Sequence, residues 1–124
     1  MNEKDNQIAI LLDWKKSRIR IYKETLYQIG KPDNICLMVN PEAMTIAIQA
    51  TPHSVGVTHK LDWKTIQGAR SIELYSRVFL SRLFNMNLDW DTKHSYRIYG
   101  KVNYQMNVAE FKIADAVSID DLKD

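Results

Sequence analysis

A basic segment near the start of the chain carries the residue types that contact a polyanion. Between Trp14 and Lys23 most of the polar side chains are cationic. Arg18 and Arg20 alternate with apolar residues, so a strand here places both guanidinium groups on one face. Guanidinium groups bind phosphates and the edges of bases. The candidate nucleic-acid-binding residues are Lys15, Lys16, Arg18, Arg20 and Lys23, with Arg77 and Arg82 as a second group.

Two other classes of function stay open on the sequence. One is a protein-interaction or inhibitor module that docks through an exposed strand edge, for which the apolar segment 35–39 is suited. The other is a small enzyme, which the sequence supports least. It contains no glycine-rich phosphate loop, no Gly-x-Ser-x-Gly, no His-Glu-x-x-His and no cysteine pair. We therefore expect a non-enzymatic protein with no catalytic residues, no metal and no cofactor.

The remaining reactive side chains have structural interpretations. Cys36 is the only cysteine, so no intrachain disulfide can form, and its apolar neighbours predict a buried structural thiol. His53, His59 and His94 are expected in turns or at the surface, too dispersed to share a metal ion.

Length and charge indicate one domain over residues 1–124. The net charge is only +2, but the basic front contrasts with an acidic tail at 118–124, an asymmetry that favours a polyanionic partner for the front. The first residues are polar, and the apolar run 8–12 is too short for an export signal or a membrane span. We expect a cytoplasmic protein with no membrane partner.

Strand patterns dominate, with two short helices between them. Leu26 and Ile29 give the first helix an apolar side, and Gly30 is expected to end it. Ser76 is expected to cap the second helix. The apolar stripe of that helix is Phe79, Leu80, Leu83 and Phe84. Strands are expected at 7–12, 18–22, 35–39, 45–49, 55–59, 95–102 and 109–113. The predicted fold class is α+β, mostly antiparallel.

The same order of elements occurs twice. Leu-Asp-Trp stands at 12–14, 61–63 and 88–90, and each of the first two copies precedes an alternating segment that ends in tyrosine. The offset is 49 residues at Trp14 and Trp63, and 53 at Tyr22 and Tyr75. A helix and a hairpin follow in both cases. The sequence therefore predicts two pseudo-repeated strand–helix–hairpin halves, at about 7–50 and 61–114.

The segment 21–30, Ile-Tyr-Lys-Glu-Thr-Leu-Tyr-Gln-Ile-Gly, resembles the core of the SpoVT/AbrB-like swapped-hairpin family. Lys23 and Glu24 match the start of the family's helix, and Ile29 and Gly30 match its end; Tyr22 stands where the family usually has proline. The resemblance implies a DNA-binding transcription regulator or antitoxin-like element. It also implies two copies in one chain, as in MraZ proteins, and a possible homodimer. The chain further resembles short uncharacterised proteins of Gram-positive bacteria and their mobile elements.

Overall fold

A computed structural model describes residues 7–51, 58–86, 89–91 and 93–119. Some of the expected features lie outside these ranges. They are His53, residues 55–57 of an expected strand, Leu88 of the third Leu-Asp-Trp, and the acidic tail beyond residue 119.

Within the described ranges, nine strands form one antiparallel sheet that curls around the core. The strands are β1 Gln7–Asp13, β2 Arg18–Tyr22, β3 Asn34–Asn40, β4 Thr45–Thr51, β5 Thr58–Lys60, β6 Ser71–Tyr75, β7 Ser95–Asn103, β8 Val108–Lys112 and β9 Val117–Ile119. Their order across the sheet is β5-β3-β4-β8-β7-β1-β2-β6, and β9 lies beside β7. The α+β class with mostly antiparallel strands is confirmed. Strand β9 was not predicted. It includes Ser118 and Ile119, the first two residues of the segment that the sequence analysis treats as an acidic tail.

The described helices are short: α1 Lys23–Gln28, α2 Trp63–Ile66 and α3 Arg77–Phe84, with a 3-10 turn at Ile113–Asp115. None of them is long and apolar enough to cross a membrane. The expectation of two helices is wrong by one, because α2 is a single extra turn. Asp62 stabilises it by accepting hydrogen bonds from the backbone N–H of Lys64 at 3.2 Å and the hydroxyl of Thr65 at 3.0 Å.

Helix α1 follows the expectation closely. Leu26 and Ile29 are completely buried. Gly30 ends the helix with φ of +100°, a conformation that residues with a Cβ atom adopt only at a cost in free energy. At the start, Tyr22 makes no capping hydrogen bond through its side chain.

Helix α3 begins with the expected cap, since the Ser76 hydroxyl accepts a hydrogen bond from the backbone N–H of Phe79 at 3.2 Å. Phe79, Leu80 and Leu83 are buried as predicted. Phe84 was placed in the same stripe and this was wrong, because its side chain is 59% exposed. It ends the helix and turns its ring toward Trp14 instead of the core.

Three hairpins use the same four-residue turn, at 14–17, 41–44 and 104–107. Before each turn stands an Asp or Asn whose side-chain oxygen accepts hydrogen bonds from backbone N–H groups of the turn. The last residue of each turn has φ of 50° to 54°. The preceding residues are Asp13, Asn40 and Asn103, and the left-handed residues are Ser17, Met44 and Asn107.

One face of the sheet carries the apolar core, in which residues such as Ile10, Ile48 and Phe111 are buried against α1 and α3. Strand β3 packs against the core through one face only. Cys36 and Met38 point away from the core and are half-buried, so the Cys36 thiol, which the sequence predicts to be buried, is only partly so. The Cys36 Sγ lies 3.9 Å from the carbonyl oxygen of Leu37.

The strands of the first segment (7–51, β1 to β4) interleave with those of the second (58–112, β5 to β8). β1 pairs with β7, and β3 pairs with β5. β2 pairs with β6, and β4 pairs with β8. β1 also pairs with β2, but no ladder joins the β1–β2 hairpin to the β3–β4 hairpin among the described residues. The two segments therefore build one shared core.

Candidate nucleic-acid interface

The face of β1, β2, β6 and β7 opposite the core, here called the outer face, is polar and partly aromatic. Register places Arg97 beside Leu11, Leu11 beside Arg20, and Arg20 beside Glu73, in one row across four strands. Leu11 is only 1% exposed although it lies outside the core cluster. We attribute this burial to the aliphatic stems of the flanking arginines, which cover apolar surface while their charged ends stay near water.

Glu73 lies between the two arginines that the sequence singled out. Its Oε2 accepts a hydrogen bond from Arg18 Nη1 at 3.1 Å, and its Oε1 accepts one from Arg20 Nη2 at 3.1 Å. Arg18 also donates through Nη2 to Asp13 Oδ2 at 2.9 Å. Both arginine side chains are 14% exposed. The two guanidinium groups are therefore held in fixed orientations.

The ion pairs also set the charge state of Glu73. Burial raises the pKa of this carboxyl, but the hydrogen bonds from Arg20 and Arg18 and their positive charges outweigh burial and lower the pKa overall. Glu73 thus stays ionised at neutral pH and offsets one of the two arginine charges.

Arg97 completes the row with different partners. A hydrogen bond with Tyr99 raises the pKa of Arg97 above its usual value, burial acts in the opposite direction, and Tyr22 adds a further raising interaction. Both partners are tyrosines, so neither brings a carboxylate to cancel the charge of Arg97.

Four of the predicted residues meet at one end of the sheet, here called the basic end. Lys15 and Lys16 lie in the exposed β1–β2 turn, next to Arg18 at the start of β2. Arg18 pairs across the sheet with Tyr75, and exposed Arg77 follows two residues later at the start of α3. Tyr75 itself is 68% exposed. The basic end therefore combines cationic side chains with an accessible aromatic ring.

The other predicted residues lie elsewhere. Lys23 begins α1 at the opposite end of β2, where its Nζ donates to the carbonyl oxygen of Gln67 at 3.3 Å. Arg82, on the last turn of α3, lines a cleft of about 520 Å³ together with Met44 and Asn85. The third, Arg20, lies on the outer face beside Glu73, so three of the seven predicted residues lie outside the basic end.

Sequence reasoning missed the roles of Glu73, Arg97 and Tyr99. Arg97 and Tyr99 lie on the same side of β7, as the two-residue period of a strand requires. The signal that was lacking is the pairing of β1 with β7 and of β2 with β6, which joins residues far apart in the chain.

The tryptophans of the first two Leu-Asp-Trp motifs have packing roles. Trp14 packs edge-on against Phe84 of α3, with ring centroids 6.3 Å apart. Trp63 packs against Tyr27 of α1 at 5.4 Å, and its Nε1 donates to the carbonyl oxygen of Pro32 at 2.7 Å. Each of these tryptophans therefore packs against the helix of the other segment.

In the described ranges no three His, Cys, Asp or Glu side chains lie close enough together to bind a metal ion. His94 lies 3.4 Å from Asp91 in the turn before β7. His59 is half-buried on β5, and burial lowers its pKa.

Comparison with known proteins returns no match: no family model, no curated protein and no solved structure is similar to the chain. Function is therefore inferred from the outer face and the basic end.

Proposed function

We propose that this protein binds nucleic acid. The basic end contacts phosphates, and the outer face of β2 and β7 lies along the nucleic-acid backbone. The observation that carries the proposal is the convergence of Lys15, Lys16, Arg18 and Arg77 beside the exposed ring of Tyr75. Neither lysine forms an ion pair with a described residue. Their charge is therefore available to phosphates.

The arrangement of the arginines supports the same proposal. A guanidinium group that is already fixed by a carboxylate loses little conformational entropy when it meets a phosphate. Arg18 and Arg20 are fixed in this way by Glu73. The opposing carboxylates, Glu73 and Asp13, leave the outer face with a positive surplus once Arg97 is included.

We further propose that the chain is a duplication of a strand–helix–hairpin unit of the SpoVT/AbrB-like type. Support comes from the strand registers. Ile10 opposes Ile98 in the β1–β7 ladder, and His59 opposes Ile35 in the β3–β5 ladder. Moving Ile10 forward by the tryptophan offset of 49 reaches His59. Met44 and Asn107, the left-handed residues of two matching turns, are 63 residues apart. The same offset of 63 leads from Ile35 to Ile98.

The test of nucleic-acid binding is fluorescence anisotropy of a labelled mixed-sequence duplex, titrated with the full-length protein at low and moderate salt. The double variant Lys15→Gln/Lys16→Gln should weaken binding about tenfold and lower the salt slope by about two, one for each lost phosphate contact. Glu73→Gln should tighten binding, because the loss of a negative charge that competes with phosphate outweighs the weaker fixation of the two arginines by the neutral amide.

The matched control is Lys60→Gln/Lys112→Gln, which changes the net charge equally on exposed positions of β5 and β8. It should bind like the parent protein. Equal losses in both double variants would show that net charge alone drives binding. Absence of binding at low salt would overturn the proposal.

A second candidate function, docking of a protein partner, is favoured by the edge of β6, which pairs only with β2 among the described residues. This strand ends the sheet order, and Tyr75 and Val78 beside it are 68% and 62% exposed. Tyr75→Ala/Val78→Ala with unchanged nucleic-acid affinity but loss of a salt-insensitive protein complex would identify that function instead.

A further inference from the structure

A small cleft opens on the outer face at the end of the sheet remote from the basic end. It has a volume of about 200 Å³. That is below the 300–1,000 Å³ of sites for drug-sized ligands and is suited to a single ring system. The residues that line it are Gln7, Ile8, Ala9, Tyr22, Glu24, Thr25 and Tyr99. We call this cleft the tyrosine slot.

Two aromatic rings flank the floor of the tyrosine slot. Ala9 on β1 pairs with Tyr99 on β7. On its other side the β1–β2 ladder ends at the pair Ile10–Ile21, and the next position in that register brings Ala9 opposite Tyr22. Neighbouring strands lie about 4.8 Å apart, so the backbones that carry the two tyrosines are about 10 Å apart. A flat ring between two others needs about 7 Å, which is two contact distances of about 3.5 Å. The methyl group of Ala9 leaves that space open.

The walls of the slot are fixed in advance. Arg97 interacts with the hydroxyls of both Tyr99 and Tyr22, from the row next to Ala9. Rings that are already oriented lose little freedom when a ligand enters. Tyr99 is 38% exposed, so its ring is accessible from solvent.

One polar group gives the slot a chemical preference. Glu24 accepts a hydrogen bond through Oε1 from Gln28 Nε2 at 3.0 Å, and its second oxygen accepts none from a residue in the described part of the chain. A carboxylate oxygen accepts hydrogen bonds and donates none, and it pairs with the exocyclic amino group of cytosine. The 4-carbonyl group of thymine or uracil offers it no donor, and their N3–H lies between two carbonyl oxygens that repel a carboxylate.

We propose that the tyrosine slot binds one unpaired base of a single strand, stacked between Tyr22 and Tyr99, and selects cytosine over thymine or uracil through Glu24. This inference rests on the proposed nucleic-acid binding and names the form of nucleic acid that the outer face recognises. Phosphates of the same strand then run past Arg97 and Arg20 toward the basic end. Aromatic side chains that stack on bases are the usual device for single-strand binding.

The experiment titrates full-length protein with short oligo(dC) and oligo(dT), followed by fluorescence anisotropy and by backbone amide chemical shifts. The parent should bind oligo(dC) about tenfold more tightly than oligo(dT), the effect of one base-specific hydrogen-bonded contact. Amide shifts should appear at Ala9, Thr25 and Tyr99. Glu24→Gln should abolish the preference while the affinity for oligo(dT) is kept.

Ala9→Leu should fill the slot and reduce the affinity for oligo(dC) about tenfold, the contribution of one stacked base. Ala47→Leu, the same substitution at a half-buried position on β4, is the matched control and should bind like the parent. Thermal unfolding of both variants checks that they fold. If Ala9→Leu unfolds, Tyr99→Leu, at a more exposed position, replaces it.

The outcomes separate the two proposals. Equal affinities for the two oligonucleotides, with shifts confined to the basic end, would overturn the tyrosine slot and leave nucleic-acid binding intact. Cytosine-selective binding that is insensitive to Lys15→Gln/Lys16→Gln would support the slot and overturn the role of the basic end. Absence of binding to the duplex and to both oligonucleotides would overturn both.

Discussion

Helices α1 and α3 follow β2 and β6 in the same way, but they are held at opposite ends. α1 has no side-chain cap at its start. Its end is closed by Gly30 and by the β7–β8 turn, where the Tyr104 hydroxyl donates to Gln28 Oε1 at 2.9 Å. α3 starts with the Ser76 cap and ends at Asn85 in an ordinary helical conformation. Beyond that end the cleft of about 520 Å³ separates it from the β3–β4 turn.

The difference shows that a short helix needs one well-fixed end when tertiary packing supplies the rest. Isolated helices of six or eight residues are unstable in water, so most of their stability comes from the buried side. α1 gains its fixed end from a left-handed glycine and a neighbouring turn. α3 gains it from a single hydroxyl, which leaves its other end free to line a cleft.

The largest expected effect tests the part that the two helices share. Leu26 and Leu83 are both completely buried. Leu26→Ala and Leu83→Ala should each lower the free energy of unfolding by about 3 kcal/mol, because each leaves a cavity in the common core. Urea denaturation measures both. If Leu83→Ala lowers the free energy of unfolding by less than half as much as Leu26→Ala, then α3 packs more loosely against the core than α1 does.

The second effect tests the ends of the helices. Gly30→Ala should lower the free energy of unfolding by about 1–2 kcal/mol, the strain of a left-handed residue with a Cβ atom. Steric clash adds little, since the nearest atom to that Cβ would be Asn107 Oδ1 at 3.7 Å. Asn85→Ala, at the corresponding end of α3, should change it by less than about 0.5 kcal/mol. Similar losses at both sites would contradict the contrast between the two ends.

The third effect tests the start of α3. Ser76→Ala removes the acceptor for the Phe79 N–H and should lower the free energy of unfolding by about 1 kcal/mol. Ser81→Ala, on the exposed side of the same helix, is the control and should be neutral or slightly stabilising, because alanine is the better helix former. Thermal denaturation of the two variants side by side distinguishes the cap from a general effect of losing a hydroxyl.

The smallest effect compares the first strands of the two segments. His59 on β5 stands where β1 has the buried Ile10, by the register of their ladders. Burial lowers the pKa of His59 below 6.5, so folding disfavours its protonated form. Stability from this group is therefore present above pH 6.5 and is lost as the pH falls through the lowered value. His59→Gln should flatten the dependence of the unfolding midpoint on pH in that range, and an unchanged slope would exclude His59 as its source.

Local chemistry made much of the fold predictable. Gly30, Ser76 and the alternation in β2 each act within a few residues, and their predicted roles are confirmed. The basic character of the β1–β2 turn was equally visible.

The parts that could not be predicted depend on long-range pairing. Glu73 meets Arg18 and Arg20 only because β6 lies beside β2, and Tyr99 meets Tyr22 only because β1 lies between their strands. Phe84 was misplaced because helical periodicity gives the side of a helix but not where the core stops. The extra turn α2 has only four residues, which is too short to show a helical pattern in the sequence.

Interleaving also sets the order in which this chain can acquire its structure during synthesis. Ile10 opposes Ile98, so 88 residues separate β1 from its partner on β7. At ribosomal rates of 5–20 residues per second, the synthesis of these residues takes roughly 4–18 s. During that time the apolar side chains of β1 lack their partner strand. The β1–β2 hairpin forms early, but the core closes only after β7 and β8 have left the ribosome. Products that stop before β7 therefore expose apolar strands, and chaperones or proteases of the quality-control machinery are expected to capture them.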